Sequence, residues 1–450
     1  MNKSRLFTKN FNILISGSVV AIGLSFFAFK QLPQLFFASD ELLQMGSIHF
    51  YGVFAGLTEY NVLRLLMGDH RPLGTLIGNL FQYYLGYNTL PFVLFMYGVH
   101  ALNIILTGLV VDKISKNRFV SVVAMLVFAV PTTAVQTFAW LAVPVQTLSN
   151  LFFILLALYA NITGNERQSR KLIILSWIFA YISFLFKETA FFVFPVLALI
   201  PWILNYKEPF IRKPAVIAGV IVALGSAAVY KIYPILTAGG TVVMKTVWYI
   251  WFYPLISLSQ YFIPFRFLPR AGMYILLLIY PHALGSNITE YAGTVIVADM
   301  ISIILSFCIL FGLTMLFTVK REYRTTLSVI AGFYVLSFLP IAVYLSDRGS
   351  SYVESRYLYL PYFAIAVMVA ILADWLRKSL ALVFRWKLVP VVIVGVLIAI
   401  FLVKQITVVQ REIKQNVYDQ TQVRDTMTLL RNTVRTLPEN PVFYITSDRD

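Results

Sequence analysis

The sequence predicts an all-α polytopic membrane protein, a bundle of about eleven transmembrane helices. Three observations carry this. Hydrophobic residues fill 59% of the 450 positions and charged residues only 12%, against about 25% charged in soluble domains. Apolar runs of roughly 20 residues recur from end to end, each long enough to cross a bilayer as a helix. Basic residues cluster after alternate runs, which is the pattern of short loops facing the cytoplasm.

The net charge of +16 follows from those loops. No basic patch with interleaved aromatics stands outside the spans, which argues against nucleic acid as a partner. Cys308, the single cysteine, lies in an apolar run and excludes an intramolecular disulfide framework.

Lys3, Arg5 and Lys9 precede the first span, Phe11–Phe29, and place the N-terminus in the cytoplasm. That apolar run is long and no A-x-A-like site follows it, unlike a cleaved signal peptide. A first outer loop, 37–89, comes next and carries interfacial helices. Spans then follow over Leu90–Val111, Phe119–Val135, Val145–Tyr159, Leu172–Phe186, Thr189–Leu204 and Ala215–Ile232. Their inside ends are marked by Lys113, Lys116 and Arg118, by Arg167, Arg170 and Lys171, and by Lys207, Arg212 and Lys213.

A second large outer loop, 233–295, holds two short, proline-broken apolar pieces, Val247–Ile263 and Met273–Leu284. Its aromatics from Trp248 to Tyr261 read as a belt at headgroup depth on interfacial or re-entrant helices. Asn287-Ile-Thr289 is a glycosylation sequon on the same side. Spans over Val297–Val319, Leu327–Leu345, Tyr357–Ala373 and Leu388–Val403 complete a transmembrane domain, 1–403. A short extracytoplasmic tail, 404–450, has helical periodicity over Val408–Leu437 and one strand-like run, Pro441–Thr446.

Charges outside the inside loops collect on the outer side. They include Asp40, Glu41, Asp69, Arg71, Lys187, Glu188, Glu354 and Arg356, with His70 beside them. Charges near hydrocarbon are costly and tend to line a polar cavity. Carboxylates there offer a general base, and arginines and lysines offer a cradle for a phosphate. Apolar spans and aromatic helices offer a groove for a lipid tail. The combination suits transfer from a lipid-linked phosphate donor to a hydroxyl acceptor, with cations stabilising the charge that builds on the leaving phosphate.

The motifs resemble those of the C-type (GT-C) glycosyltransferases, close to the protein O-mannosyltransferase and ArnT-like group and to the transmembrane O-mannosyltransferases with tetratricopeptide repeats. An acidic pair after the first span, Asp40–Glu41, is similar to the hallmark of that superfamily's first outer loop. Arg71-Pro-Leu73, then His100-x-x-Asn103, resembles the subgroup's YRPL and H-x-x-N pattern. Lys187–Glu188 resembles its lysine-glutamate element, and Glu354-Ser-Arg356-Tyr-Leu-Tyr359-Leu-Pro361 its E-R-x-L-Y-L-P stretch. The chain departs from the family in having Glu41 where Asp is common and an extra serine before Arg356. No tetratricopeptide array or β-trefoil domain follows the last span.

The resemblance implies a polyprenyl- or dolichyl-phosphate sugar as donor and a protein, glycan or lipid acceptor. It implies an extracytoplasmic site that inverts the anomeric centre, with Asp40 as base and Glu41 beside it. Arg71, Lys187 and Arg356 would contact the donor phosphate. Asp69, His70, His100, Asn103, Glu188, Glu354 and Tyr359 would bind substrate or support the site. No cofactor is required. Asp40, Glu41, Asp69 and His70 offer ligands for a divalent metal, but their spacing indicates none.

Plainer roles stand beside these. Asp40 fits a helix N-cap, with Ser39-Asp40-Glu41 ahead of Leu42-Leu43. Asp69 and Arg71 can pair with each other, and Lys187 can snorkel from a span end. His100 and Asn103, three apart on one helix face, can fix bundle packing through interhelical hydrogen bonds. Two other functions compete. A polar-lipid transporter or flippase would carry an inverted repeat with broken helices at midplane, and no repeat is seen. An envelope glycan polymerase or ligase would lean on arginines in a large outer loop.

Overall fold

The computed structural model describes residues 3–37, 39–54, 71–86, 88–204, 287–345, 355–386 and 388–434, together with Pro254, Leu255, Ser257, Leu258 and Tyr261. The described residues are all-α. Seven helical stretches among them are long and apolar enough to cross a membrane: Asn12–Gln34, Leu90–Ser115, Arg118–Ala139, Val143–Glu166, Met300–Val319, Tyr359–Val383 and Leu388–Leu430. The chain is therefore a multi-pass integral membrane protein. Large apolar side chains stay exposed along the outside of the bundle, among them Val19, Phe27, Ile304, Phe311, Val392 and Ile400, where lipid tails would cover them.

In chain order the α-helices are α1 (Lys3–Ala28), α2 (Ser39–Tyr51), α3 (Pro72–Leu85), α4 (Leu90–Ser115), α5 (Arg118–Phe128), α6 (Val135–Ala139), α7 (Ala142–Glu166), α8 (Arg170–Phe186) and α9 (Val193–Ile203). They continue as α10 (Asn287–Val319), α11 (Arg321–Leu345), α12 (Tyr359–Val383) and α13 (Leu388–Val434). The expected spans on described residues are helical over most of their length; Ala215–Ile232, most of Val247–Ile263, Met273–Leu284 and the strand-like run Pro441–Thr446 lie outside the described residues.

Two spans differ from a simple rod. The expected span Phe119–Val135 breaks: α5 stops at Phe128, Pro131 interrupts, and a 3-10 turn (Thr132–Ala134) leads into the short α6. Proline has no N–H to give and its ring clashes with the preceding turn, so the helix cannot run on. The span after Phe186 likewise opens with a 3-10 turn, Glu188–Phe192, before α9. At the other end of the chain, the expected boundary between 403 and 404 falls inside one continuous helix. α13 has 47 residues, about 70 Å at 1.5 Å per residue, so more than half of it stands outside a hydrocarbon layer of about 30 Å.

The core is built around α12, which is buried from Tyr359 to Ile371 with hardly a gap. It packs on α5, α11 and α13, while α7 pairs with α8 and with α4. α4 and α5 approach closely at Gly108, where an added Cβ would run into the side chain of Met125. Of the expected headgroup-depth belt, Tyr261 is described, and it is not at a surface. It is buried against Tyr334 and Tyr362 and donates to the Leu358 carbonyl at 3.3 Å. Ser257 and Pro254 meet the Tyr334 hydroxyl nearby. An aromatic with a polar tip serves a buried carbonyl as well as an interface, which is why composition alone misplaces it.

One end of the bundle is tied by a buried carboxylate. Asp374 accepts from the Asn117 amide at 2.7 Å and the Tyr323 hydroxyl at 2.8 Å. Arg377 reaches its other oxygen at 2.6 Å, and Lys378 lies at 3.0 Å. Asn117 also caps α5 by accepting from the Phe119 and Val120 amides. One carboxylate thus joins α12 to the α4–α5 turn and to α11. Asp374→Ala strands the Asn117 and Tyr323 donors and is expected to cost about 2–4 kcal/mol. Thermal unfolding of the detergent-solubilised protein would show this as a lowered midpoint, with Asp374→Asn intermediate.

Candidate functional site

The opposite end of the bundle, where α7 begins, gathers the cations. α7 is apolar overall but presents Gln146, Thr147 and Asn150 near its start. The Arg71 guanidinium donates to Gln146 Oε1 at 2.8 Å. The Lys187 ammonium donates to Thr147 Oγ1, also at 2.8 Å. Two cations from stretches more than a hundred residues apart therefore meet consecutive residues of one helix. Thr147 sits about 8 Å below the first residue of α7 at 1.5 Å per residue, so the pair is recessed into the bundle rather than laid on its rim.

Each cation is held there by a local device. Arg71 precedes Pro72, the first residue of α3, and has a left-handed backbone with φ 52°. That conformation costs a non-glycine residue of order 1 kcal/mol and persists because the surroundings fix it. α3 comes close enough for this only because of Gly74: a Cβ there would lie 2.6 Å from Gln146 Cγ and 3.0 Å from the Phe186 carbonyl. Lys187 follows the last residue of α8 in extended backbone. Its carbonyl and that of Ser183 both accept from the Asn150 amide, at 2.9 and 3.1 Å. The Lys187 side chain is 4% exposed, so it does not snorkel out to water.

Arg356 completes the group from the 3-10 turn Ser355–Tyr357. Its guanidinium lies 4.8 Å from the Trp140 ring centre and 5.1 Å from that of Tyr357. Lys187 Nζ lies 5.4 Å from the same Tyr357 ring. The tyrosine is therefore shared between two cations, an arrangement that holds like charges close while their fields fall partly on aromatic faces.

Below this layer His100, Asn103 and Tyr359 form a buried knot. His100 Nδ1 is 2.8 Å from the Tyr359 hydroxyl, and Nε2 is 3.2 Å from the Ala129 carbonyl. The Asn103 amide donates to the Tyr359 hydroxyl at 3.1 Å and to the Leu148 carbonyl at 3.0 Å. Phe29 and Phe138 close over the imidazole. These contacts tie α4 to α12, α7 and the end of α5, the packing role expected for His100 and Asn103 in a span.

Asp40 is the second residue of α2, and Glu41, the third, is fully buried. α2 is held to α3 through Gln44, whose amide donates to Asn79 Oδ1 at 2.8 Å, and Asn79 in turn donates to the Val53 carbonyl. The acidic first turn of α2 is thereby linked to the helix that carries Arg71. Asp69, His70 and Glu354 lie outside the described residues, as do the side chains of Asp40 and Glu188. Among the described residues no three His, Cys, Asp or Glu side chains gather in a way that would hold a metal ion.

Sequence reasoning did not single out Gln146, Thr147, Asn150, Trp140 or Tyr357. A signal existed for the first three: polar residues at i, i+1 and i+4 inside an apolar span mark an inward face. Trp140 carried no such signal, because only the break at Pro131 brings it under Arg356. Gly74→Val is expected to push α3 off α7 and lower stability by about 1–3 kcal/mol, and Tyr359→Phe to cost about 1–2 kcal/mol through its two lost partners. Thermal unfolding in detergent checks both. Neither a family model, nor a curated protein, nor a solved structure matches the chain.

Proposed function

We propose that this chain is a membrane glycosyltransferase of the C type. It moves a sugar from a polyprenyl-phosphate-linked donor to a hydroxyl acceptor, a protein, glycan or lipid, with inversion at the anomeric carbon. The observation that carries the reading is the convergence of Arg71, Lys187 and Arg356 near the start of α7, recessed into an apolar bundle. Three cations gathered at one end of a membrane bundle suit a phosphate whose lipid tail remains in hydrocarbon. By the positive-inside rule that end is extracytoplasmic, since Lys113, Lys116 and Arg118 stand at the other.

In this reading Asp40 takes the proton from the acceptor hydroxyl. The acceptor oxygen forms its bond to the anomeric carbon as the bond from that carbon to the phosphate oxygen breaks. The electron pair leaves with the phosphate, and Lys187, Arg71 and Arg356 stabilise the charge it gains. No acid is needed to protonate the departing group, because a phosphate leaves as an anion; one carboxylate suffices where hydrolases use two. Tyr357 keeps Lys187 and Arg356 in register, and Gln146 and Thr147 orient Arg71 and Lys187.

The test is sugar transfer in membranes supplied with a labelled polyprenyl-phosphate sugar. Wild type is expected to move label into protein, glycan or lipid, and Asp40→Asn at equal expression to lose at least a hundredfold in rate, the scale of general-base catalysis. Lys187→Met is expected to raise the donor KM about tenfold or more, the worth of a charge-assisted hydrogen bond. Full activity in Asp40→Asn would remove it as the base. Label that changes leaflet without a new glycosidic product would replace the transferase with a transporter.

A further inference from the structure

The last turn of α3 is inside out for a helix in water. Gln82 is buried, as is Asn79 one turn earlier, while Tyr83, Tyr84 and Leu85 are exposed, the tyrosines at 55% and 73%. A surface helix in water does the reverse, with its apolar stripe on the core and polar residues outward. Asn79 is spent inside: its amide donates to the Val53 carbonyl and its oxygen accepts from Gln44, each at 2.8 Å. The two tyrosine rings stand nearly perpendicular with centres 5.1 Å apart. No Asp, Glu, Lys or Arg occurs between Arg71 and Asp112, so this surface offers no charge to a partner.

The tip adjoins a surface that faces lipid. Gly86, φ 54°, turns the chain after α3, and α4 begins at Leu90. Leu90, Leu94, Gly98 and Leu102, each four residues from the last, form an exposed stripe along that span. Phe81 fixes the level. Its ring centre lies 5.2 Å from that of Phe92 and 5.6 Å from that of Phe95, and Phe95 is only about 8 Å along the axis from Leu90. The end of α3 is therefore packed against the first two turns of a membrane span, near the end at which its exposed stripe begins.

We infer that Tyr83, Tyr84 and Leu85 sit in the headgroup layer of the outer leaflet, with the phospholipid surface as their partner. A tyrosine suits that depth because its ring is apolar and its hydroxyl polar. Lys113 and Lys116 mark the other end of α4 as cytoplasmic, which makes this leaflet the outer one. α3 has 14 residues, about 21 Å at 1.5 Å per residue. Arg71 stands immediately ahead of it and reaches Gln146 at that other end. A tip held at headgroup depth therefore sets the level at which Arg71 meets α7. This placement of α3 does not depend on the transferase reading.

The experiment uses the full chain carrying Cys308→Ser, which removes its single cysteine, reconstituted in phosphatidylcholine vesicles. A nitroxide is attached at Tyr84→Cys. In separate samples it is attached at Leu102→Cys, deep on the exposed stripe of α4, and at Asp425→Cys, exposed on the far part of α13. Power-saturation electron paramagnetic resonance compares access of oxygen, which concentrates in lipid, with access of a water-soluble nickel chelate. The oxygen-to-nickel ratio at Tyr84→Cys is expected to exceed that at Asp425→Cys severalfold and to fall below that at Leu102→Cys. A ratio equal to either reference would overturn the inference, by placing the tip in water or in the hydrocarbon interior. So would spin–spin broadening at Tyr84→Cys that dilution with unlabelled protein removes, because a second copy would then cover the tip. Tyr83→Cys makes the same measurement if Tyr84→Cys folds poorly.

Discussion

A carbonyl placed in hydrocarbon has no water to turn to, and the protein itself must satisfy it. The break at Pro131 is where this constraint is felt most. Ending α5 at Phe128 frees the carbonyls around it, and several of them are met from other helices. The Tyr362 hydroxyl of α12 lies 3.2 Å from the carbonyls of both Val127 and Val130. His100 of α4 reaches Ala129. Gln420 of α13 donates to Ala139 at 2.8 Å, and Gln405 of the same helix meets the Thr132 hydroxyl. The irregular stretch is thus the centre to which α4, α12 and α13 are tied.

The arrangement of the cations follows from that break. A continuous helix from Arg118 would have carried Trp140 onward along the span axis. The interruption instead lays α6 across the turn Ser355–Tyr357, where Thr137 reaches the Arg356 carbonyl and Trp140 faces the guanidinium. α13 fastens the same region from outside. Gln420 accepts from the Phe36 amide at 2.9 Å while donating to Ala139, so one side chain links the approach to α2 with the end of α6. The helix beyond the expected last span is part of the scaffold rather than an appended tail.

Charge gathers at both ends of the bundle. At the Asp374 end a buried carboxylate is surrounded by donors, and the charges largely cancel in pairs. At the α7 end an amide oxygen, a hydroxyl and aromatic faces are among the partners of the described cations.

The sequence by itself determined the membrane class and most of the helical extent of each described span. Those properties follow from local terms: run length against bilayer thickness and the cost of charge near hydrocarbon. It also marked His100 and Asn103 as a packing pair, because two polar residues on one face of a span must find partners across helices. Only the tertiary structure decided which partners they found, that Arg71 and Lys187 fall on neighbouring residues of α7, and that Tyr261 is buried. It alone placed Trp140 beneath Arg356 and joined the last span to the helix after it. Periodicity carries no information about which face meets which helix once a proline turns the chain. Asp374 marks the middle case. A lone carboxylate closing an apolar run is legible as costly, and Arg377 and Lys378 lie one turn on along the same helix, but Asn117 and Tyr323 come from other elements, and only folding brings them to it.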